Sequence, residues 1–461
     1  LKPTVAIAGA GGYVGRWFID RFKDRYRIVA LSRSDVAEPL DTQVEWRKVE
    51  MFSITSTSEA LQGVDFALYL IHSMGATTRL NQGSFEDTDV LLADNFVRAA
   101  EINQLKQIIY LGGIIPEGKK EEDLSAHLRS RLEVEKTLGS RSVPMTAVRA
   151  GIIVGPGGSS FSMIQKLVQK LPIMVCPSWT GSKTQAISLQ NTLDILQCCL
   201  GNPKAFGKIY EIGSPEVLTY KSMLQQTADV LGKKRFIFSV PFLSVGFSRL
   251  WVGYFGESPA KLVAPLIESL KHDMLVASKY RFDLKEIAYD SYSESVRHAL
   301  AFENSIPRLP KFKKNERIQN TVRSIQRLPN TRHQSALWIA NRYKVWLPTF
   351  FRFLIRAEEN SRGDLGFFLA YGKKPMLQLT WIPDRSDIKR QLFYISGGWL
   401  VKRFDYGWLE FREVLGGKYV ISAIHEFVPR LPWFVYILTQ AKIHLWVMRS
   451  FRKYLEQYKG S

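Results

Sequence analysis

The chain has 461 residues, 46% hydrophobic and 23% charged, the balance of a globular protein with a large core, and at roughly 150 residues per domain its length predicts two or three domains. Its net charge of +20 is uneven: from residue 306 onward 28 Lys and Arg face 11 Asp and Glu, a net of +17, which leaves +3 for residues 1–305. The three cysteines, Cys176, Cys198 and Cys199, form neither a CxxC pair nor a disulfide framework, so a reducing, cytoplasmic setting is expected.

Residues 3–8 (PTVAIA) read as a buried strand, GAGGYVG as a tight turn and Arg16 to Lys23 as an amphipathic helix. The chain opens at Leu1 in that strand, with no basic and apolar leader ahead of it. Apolar runs at Arg27 to Leu31, Phe66 to Ile71, Gln107 to Leu111 and Met145 to Arg149 predict further strands. Between them lie helical patterns, Phe85 to Ala100, with Leu91, Leu92, Phe96 and Ala99 on one face, and Leu124 to Leu138. Such alternation requires parallel crossovers, so the fold class is α/β, a doubly wound parallel sheet covered on both faces. From Gly151 to about Glu303 the alternation weakens, although Lys208 to Ile212 and Tyr220 to Leu231 still read as strand and helix. This part is expected to form a cap, giving a first domain of residues 1–303.

Residues 304–334, which include IPRLPKFKKNERIQN, read as a basic linker. Beyond it DLGFFLAYG, PMLQLTWIP, LFYISGG, YGWLEFREV and KYVISAIHEFVP are aromatic-rich runs separated by Gly, Pro and Asp, the pattern of an antiparallel sheet. After Pro432 one long helix is predicted to about Tyr458, with Phe434, Ile437, Leu438, Ala441, Leu445 and Met448 on one face. Residues 335–461 thus read as an α+β domain. The longest apolar stretches, Val240 to Phe255 and Trp433 to Met448, fall short of the ~20 residues that cross a bilayer, and each holds a basic residue.

Gly9-Ala10-Gly11-Gly12-Tyr13-Val14-Gly15 sets glycines at a GxxGxxG spacing between a strand and a helix. Gly9 permits the tight turn, Gly12 lets backbone approach a pyrophosphate, and Gly15 lets helix and strand pack closely, while the helix N-terminus offers N–H groups to phosphate. In this context the pattern predicts a Rossmann dinucleotide site, with Ala10, Tyr13 and Val14 in the same turn. An NAD site usually carries an acid at the end of the second strand. Here Ser32, Arg33 and Ser34 stand there instead, hydroxyls and a guanidinium suited to a 2′-phosphate, which favours NADP(H) over NAD(H).

The segments GAGGYVGR (9–16), GVDFALYLIHSM (63–74), YLGGIIPEG (110–118), HLRSRLEVEKTL (127–138), VRAGIIVGPGGSSF (148–161) and WLEFREVLGGKYVISAIHEFVPRLPW (408–433) are spread along most of the chain, from residue 9 to residue 433. With them the chain resembles the atypical short-chain dehydrogenase/reductase family, near its NmrA-like branch and the related complex I accessory subunits. More closely, it is similar to two-domain bacterial NAD(P)-binding proteins with an uncharacterised C-terminal domain. The resemblance implies Glu50 and Met51 near the adenine, Leu70 and Ile71 along the ribose and pyrophosphate, and Gly151, Ile152 and Ile153 beside the nicotinamide.

In the family's catalytic members a Tyr and a Lys lie four residues apart on a helix, with a Ser at the end of the preceding strand. With Glu135 and Arg149 as register marks, the Tyr position is His127, the Lys position Arg131, and the Ser position falls near Gly113. All three are replaced. His127 in that place implies a general acid titrating near 6.5, and Arg131 a permanent cation for ribose or phosphate. Two readings stay open: a reductase for a small carbonyl or quinone-like substrate, or a binding protein that has lost hydride chemistry. His72 and Ser73 are secondary hydrogen-bond donors at the cleft.

No metal spacing among His and Cys, no GxSxG elbow and no P-loop are visible. The basic balance, with Trp338, Trp346, Trp433 and Trp446, is compatible with an anionic membrane surface as partner. The sheet and helix also resemble, in outline, hydrophobic-ligand modules of the START type. Nucleic acid is disfavoured, because no reading helix or RNP-like pattern is present.

Overall fold

The computed structural model describes residues 2–72, 80–240, 268–282, 287–313, 321–352, 354–403 and 407–458. Ser73 and all but the first residue of Val240 to Phe255 lie outside them. The chain divides into two compact units, Leu1–His72 with Asn95–Lys313, and Ser73–Asp94 with Lys314–Ser461.

The first unit begins β1 (Thr4–Ala8), α1 (Tyr13–Phe22), β2 (Arg27–Ser32), β3 (Val36–Glu38), β4 (Val44–Lys48), α2 (Ile54–Ala60) and β5 (Phe66–Tyr69). The chain then supplies β6 (Leu80–Gln82) and the first ten residues of α3 (Phe85–Ile102) to the second unit, and returns with β7 (Gln107–Gly113), α4 (Ala126–Leu138) and β8 (Met145–Ala150). Seven strands form one sheet in the order Ile209–Ile212, β8, β7, β5, β1, β2, β4, every pairing parallel. Residues buried on both faces explain the unbroken apolar runs: Val5, Ala6, Ile7 and Ala8 are all fully buried. The order reverses at β1 and β5, and ligands of such sheets bind outside the carboxyl ends of the strands at that reversal.

The predicted strands are all present, within a few residues of the expected bounds. The cap is smaller than expected. Ile209–Ile212 joins the main sheet beside β8, and Leu189–Cys199 packs with α1 in the main core. What remains gathers helices Ser159–Lys170, Tyr220–Val230 and Tyr292–Ala301 around Val154, Phe161, Met223, Tyr292 and Val296.

Residues 314–320 of the expected linker 304–334 lie outside the described residues, and the described parts on either side of them form strands rather than a linker. Lys311–Phe312 pairs antiparallel with β3, and Val322–Pro329 is a strand in the second unit. Two of its basic residues, Arg323 and Arg327, are neutralised by acids remote in sequence, which no local pattern announces. Arg323 pairs with Glu426 at 2.7 Å and Arg327 with Asp87 at 2.5 Å, while Val322, Ile325 and Leu328 bury their side chains.

In the second unit, the strand order is Ile355–Glu359, Leu365–Leu369, Leu377–Trp381, Arg390–Gly397, Trp408–Val414, Tyr419–Pro429, Val322–Pro329, β6, with Val401–Arg403 also on Tyr419–Pro429. The pairings are antiparallel except that of β6, which is parallel to Val322–Pro329. Helix Ala336–Phe350, capped by the Ser335 side chain, was not foreseen; with Gln440–Gln457 it closes the aromatic core over the sheet. The single long helix expected after Pro432 is two helices, Trp433–Leu438 and Gln440–Gln457, broken at Thr439, whose φ of −119° and ψ of −86° are non-helical.

Charges are buried in this unit. Arg412, fully buried, binds Glu410 at 2.6 Å and Asp94 at 2.9 Å; Arg390 reaches the same Glu410 carboxylate at 3.0 Å. His425 lies 3.3 Å from its other oxygen and stacks on Trp408. Asp87 and Asp94, seven residues apart and so on one face of α3, bring two of the carboxylates to this sheet. Among the described residues no helix is long and apolar enough to cross a membrane, and no group of His, Cys, Asp and Glu is arranged to hold a metal ion.

Candidate functional site

The glycine turn has the geometry its spacing predicts. Gly9 has φ +97°, and a Cβ there would meet the Leu70 backbone at 3.0 Å. Its carbonyl accepts from the Gly12 N–H at 2.9 Å. A Cβ on Gly15 would lie 2.4 Å from the Gly9 oxygen, so only glycine lets α1 start this close to β1. Gly11 and Gly12 are exposed, and Gly12 caps α1 with no side-chain bond among the described residues. The first N–H groups of α1 therefore face outward with the positive end of the helix dipole, a cradle fitted to a pyrophosphate.

Ala10 and Val14 are buried beneath this turn. Tyr13 does something its position in the motif does not announce. Cβ atoms on Gly155 or Gly158 would collide with its ring or hydroxyl, so the phenol packs under the Gly155–Gly158 turn, where burial raises its pKa. With its ring so placed, only its backbone N–H is left at the turn.

At the end of β2 the Ser32 hydroxyl donates to the Ser34 carbonyl at 2.5 Å, closing a turn on which Arg33 is exposed. Met51 is buried, its carbonyl accepting from Asn95 at 2.9 Å, and Glu50 beside it is exposed. Leu70, half-buried, continues β5, its N–H donating to Ala8 at 2.8 Å, and Ile71 follows it. These residues line the carboxyl ends of β1, β2, β4 and β5.

The replaced catalytic positions also come together. Arg131 is buried, and its guanidinium donates to His72 Nδ1 at 2.7 Å. Because a guanidinium cannot accept, His72 takes part as the tautomer protonated at Nε2. The His72 and His127 rings lie 5.1 Å apart. A Cβ on Gly113 would touch Leu128 at 3.7 Å and Arg131 at 3.8 Å. His72 after β5, Gly113 at the end of β7, and His127 and Arg131 one turn apart on α4 thus form one cluster. Tyr110 in β7 fixes the helix from below, its hydroxyl donating to the Arg131 carbonyl at 3.1 Å. Gly151 and Ile152 follow β8, and a Cβ on Gly151 would meet the Thr184 hydroxyl at 3.4 Å.

The two register marks turn out to be bonded partners. Arg149 makes a two-pronged pair with Glu135 at 2.7 and 2.8 Å and reaches Glu211 at 3.1 Å. Burial opposes the charge on Arg149, but the two carboxylates outweigh it and hold its pKa above the ordinary value; burial raises that of Glu211. This triad ties α4 to β8 and Ile209–Ile212, and so holds His127 and Arg131 in place. Glu211 was missed because it pairs 62 residues downstream of Arg149, with no local signal.

Residues 5–172 match the model of the NAD dependent epimerase/dehydratase family. Over 128 residues the chain is 30% identical to the auxiliary protein GraX of Staphylococcus aureus, 28% of this chain and 42% of GraX. Over 181 residues it is 25% identical to a UDP-glucose 4-epimerase of Vibrio cholerae, 36% of this chain and 54% of that protein. The chain thus spans about half the length of the curated relatives it matches.

Among solved structures, a nucleoside-diphosphate-sugar epimerase of S. aureus superposes with TM-score 0.50 and 15% identity, over 64% of this chain and 99% of its own. An Escherichia coli NADPH-dependent quinone oxidoreductase in complex with NADPH gives 0.50 and 19%, with the same coverage. Triphenylmethane reductase of Citrobacter sp. with NADP(H) gives 0.50 and 18%, again over 64% and 99%. These likenesses establish the fold: the neighbours end where about a third of this chain remains. The likeness to the NAD dependent epimerase/dehydratase family thus rests on residues 5–172, in a chain that carries a C-terminal unit beyond them.

Proposed function

We propose that the first unit binds NADP(H) and reduces a small carbonyl or quinone-like substrate, as an NmrA-like member of the atypical short-chain dehydrogenase/reductases. The observation that carries this reading is the cluster of His72, His127 and Arg131 at the strand ends that also present the glycine turn. Bound NADPH supplies the hydride. Gly9, Gly12 and Gly15 leave room for the pyrophosphate, and Arg33 with the Ser34 hydroxyl receives the 2′-phosphate on the turn that the Ser32 hydroxyl closes. His127 holds the proton that the substrate oxygen takes up, and Arg131 fixes His72 and keeps a positive charge beside the developing oxyanion. The E. coli and Citrobacter fold neighbours, crystallised with NADPH and NADP(H), are in keeping with this cofactor. Three free thiols, two of them buried, suit the reducing cytoplasm as its location.

The test is calorimetric titration of wild type and Arg33→Ala with NADPH and NADH, followed by NADPH oxidation over a panel of quinones and aldehydes with wild type and His127→Ala. Loss of charge-assisted bonds to the phosphate lowers NADPH affinity about 10- to 150-fold in Arg33→Ala and leaves NADH unchanged. Equal wild-type affinities for the two cofactors refute the NADP(H) assignment. Tight NADPH binding without turnover on any substrate supports instead a cofactor-responsive binding module, which the loss of the family's Tyr, Lys and Ser favours.

A further inference from the structure

Read as one straight helix, residues 433–458 would set Phe434, Ile437 and Leu438 on the same side as Ala441 and Met448, toward the core. The break at Thr439 prevents that. Ala441, Val447, Met448, Phe451 and Leu455 are buried, whereas Phe434 is 70% exposed, Leu438 62% and Ile437 36%. These three are spaced i, i+3, i+4 and share one face of the short helix.

The longer helix repeats the pattern on its outer side. At 100° per residue, Lys442, Ile443, Trp446, Arg449 and Lys453 fall in one stripe opposite the buried one. Ile443 is 51% and Trp446 53% exposed, and the three cations are exposed too. Of the four tryptophans suited by sequence to an interface, only Trp446 is this open; Trp338, Trp346 and Trp433 pack against the core. Trp446 is held by the Phe350 ring at 4.7 Å, so its indole is presented rather than loose. Over Gln440–Gln457 the acids number one, Glu456, and it pairs with Arg452. Lys442, Arg449 and Lys453 have no ion-pair partner among the described residues.

We propose that this two-helix surface docks on an anionic phospholipid bilayer, lying in the interface with Phe434, Leu438, Ile443 and Trp446 in the acyl boundary and the cations at the phosphates. Open apolar side chains flanked by unpaired cations are what such a surface takes up, and helices this short and this charged lie on a bilayer rather than cross it. Charge complementarity separates this occupant from a second copy of the chain, which would set Lys442, Arg449 and Lys453 against one another. The inference stands apart from the reductase reading, and each can fail without the other.

The experiment is co-sedimentation of the full chain with phosphatidylglycerol-containing vesicles and with pure phosphatidylcholine vesicles, at low and high salt, with tryptophan emission read in parallel. Binding to the anionic vesicles, weakened by salt, with a blue shift that Trp446→Phe removes, is the expected result. Phe434→Ser with Trp446→Ser lowers the partition coefficient about tenfold or more, and Lys442→Glu with Arg449→Glu removes the preference for anionic lipid. Tyr371→Ser, at a fully exposed residue elsewhere in the unit, leaves binding unchanged. All the substituted side chains are exposed, so unaltered melting temperatures report intact folding. Wild type that stays in the supernatant with anionic vesicles overturns the proposal. So does sedimentation equilibrium showing a dimer that the same serine pair dissociates.

Discussion

Adding one methyl group at Gly15 tests whether the glycine turn holds a cofactor. The Cβ of Gly15→Ala would lie 2.4 Å from the Gly9 carbonyl oxygen and 3.0 Å from the Ala10 Cα, short of ordinary contact by about 1 Å in the first case. Both obstacles are backbone, so no side chain can swing aside and α1 must back away from the turn. Overpacking of this kind costs about 1–3 kcal/mol of stability. The larger effect falls on binding, because the N–H groups aimed at the pyrophosphate move with the helix. Losing one hydrogen bond to a charged group, about 1.5–3 kcal/mol, weakens NADPH binding about 10- to 150-fold. The assay is calorimetric titration of wild type, Gly15→Ala and Gly181→Ala; the last adds a methyl where no atom lies within 4 Å and should bind as wild type does. If Gly15→Ala bound NADPH with wild-type affinity and melted at the wild-type temperature, the turn would not be the phosphate cradle.

Two further expectations concern the buried charges of the second unit. Arg412→Met removes the cation shared by Glu410 and Asp94, and should destabilise the unit by about 3–5 kcal/mol in denaturant unfolding; adding Glu410→Gln should restore part of that. Burial, with Arg323 and Arg412 adding to it against the pull of Glu410, pushes His425 down from 6.5 to about 4. The unfolded chain therefore binds this proton more readily, so the stability held by neutral His425 is complete above 6.5 and is lost as pH falls toward 4, a change of about 3 kcal/mol. Glu410 is held well below its ordinary value although burial opposes it, chiefly by Arg412 and Arg390, so its contribution is lost only at lower pH still. His444, which burial also pushes down to about 4, shares that window, so His425→Gln should lessen the slope there in denaturant titrations run across the range and leave the lower window. An unchanged slope between 6.5 and 4 would mean that His425 is not the group responsible.

The first unit was legible because its strands are parallel and buried on both faces, which writes each as a continuous apolar run such as Val5 to Ala8. The glycine turn, the substituted helix positions and the Ser32–Ser34 turn were legible for a related reason: each is a local pattern. The failures were long-range. Nothing near Arg323 and Arg327 says that they are neutralised by Glu426 and Asp87, so a central strand passed for a linker. Nothing near Leu80 says that it extends a sheet whose other strands begin some 240 residues later. Thr439 carries no proline or glycine to mark the break, and so the face assigned to Phe434 and Leu438 was inverted. Tyr13 was placed correctly along the chain, yet its ring turns beneath Gly155 and Gly158, a neighbourhood that exists only after folding.

The path of α3 decides how this protein can be taken apart. Its first ten residues, with β6, supply the second unit with Asp87, Asp94 and an edge strand, although they are encoded inside the first. A fragment starting near residue 314 would lack these acids, taking Asp87 from Arg327 and leaving Arg412 to share Glu410 with Arg390. The C-terminal unit is therefore not a cassette that a single cut near residue 314 could release whole.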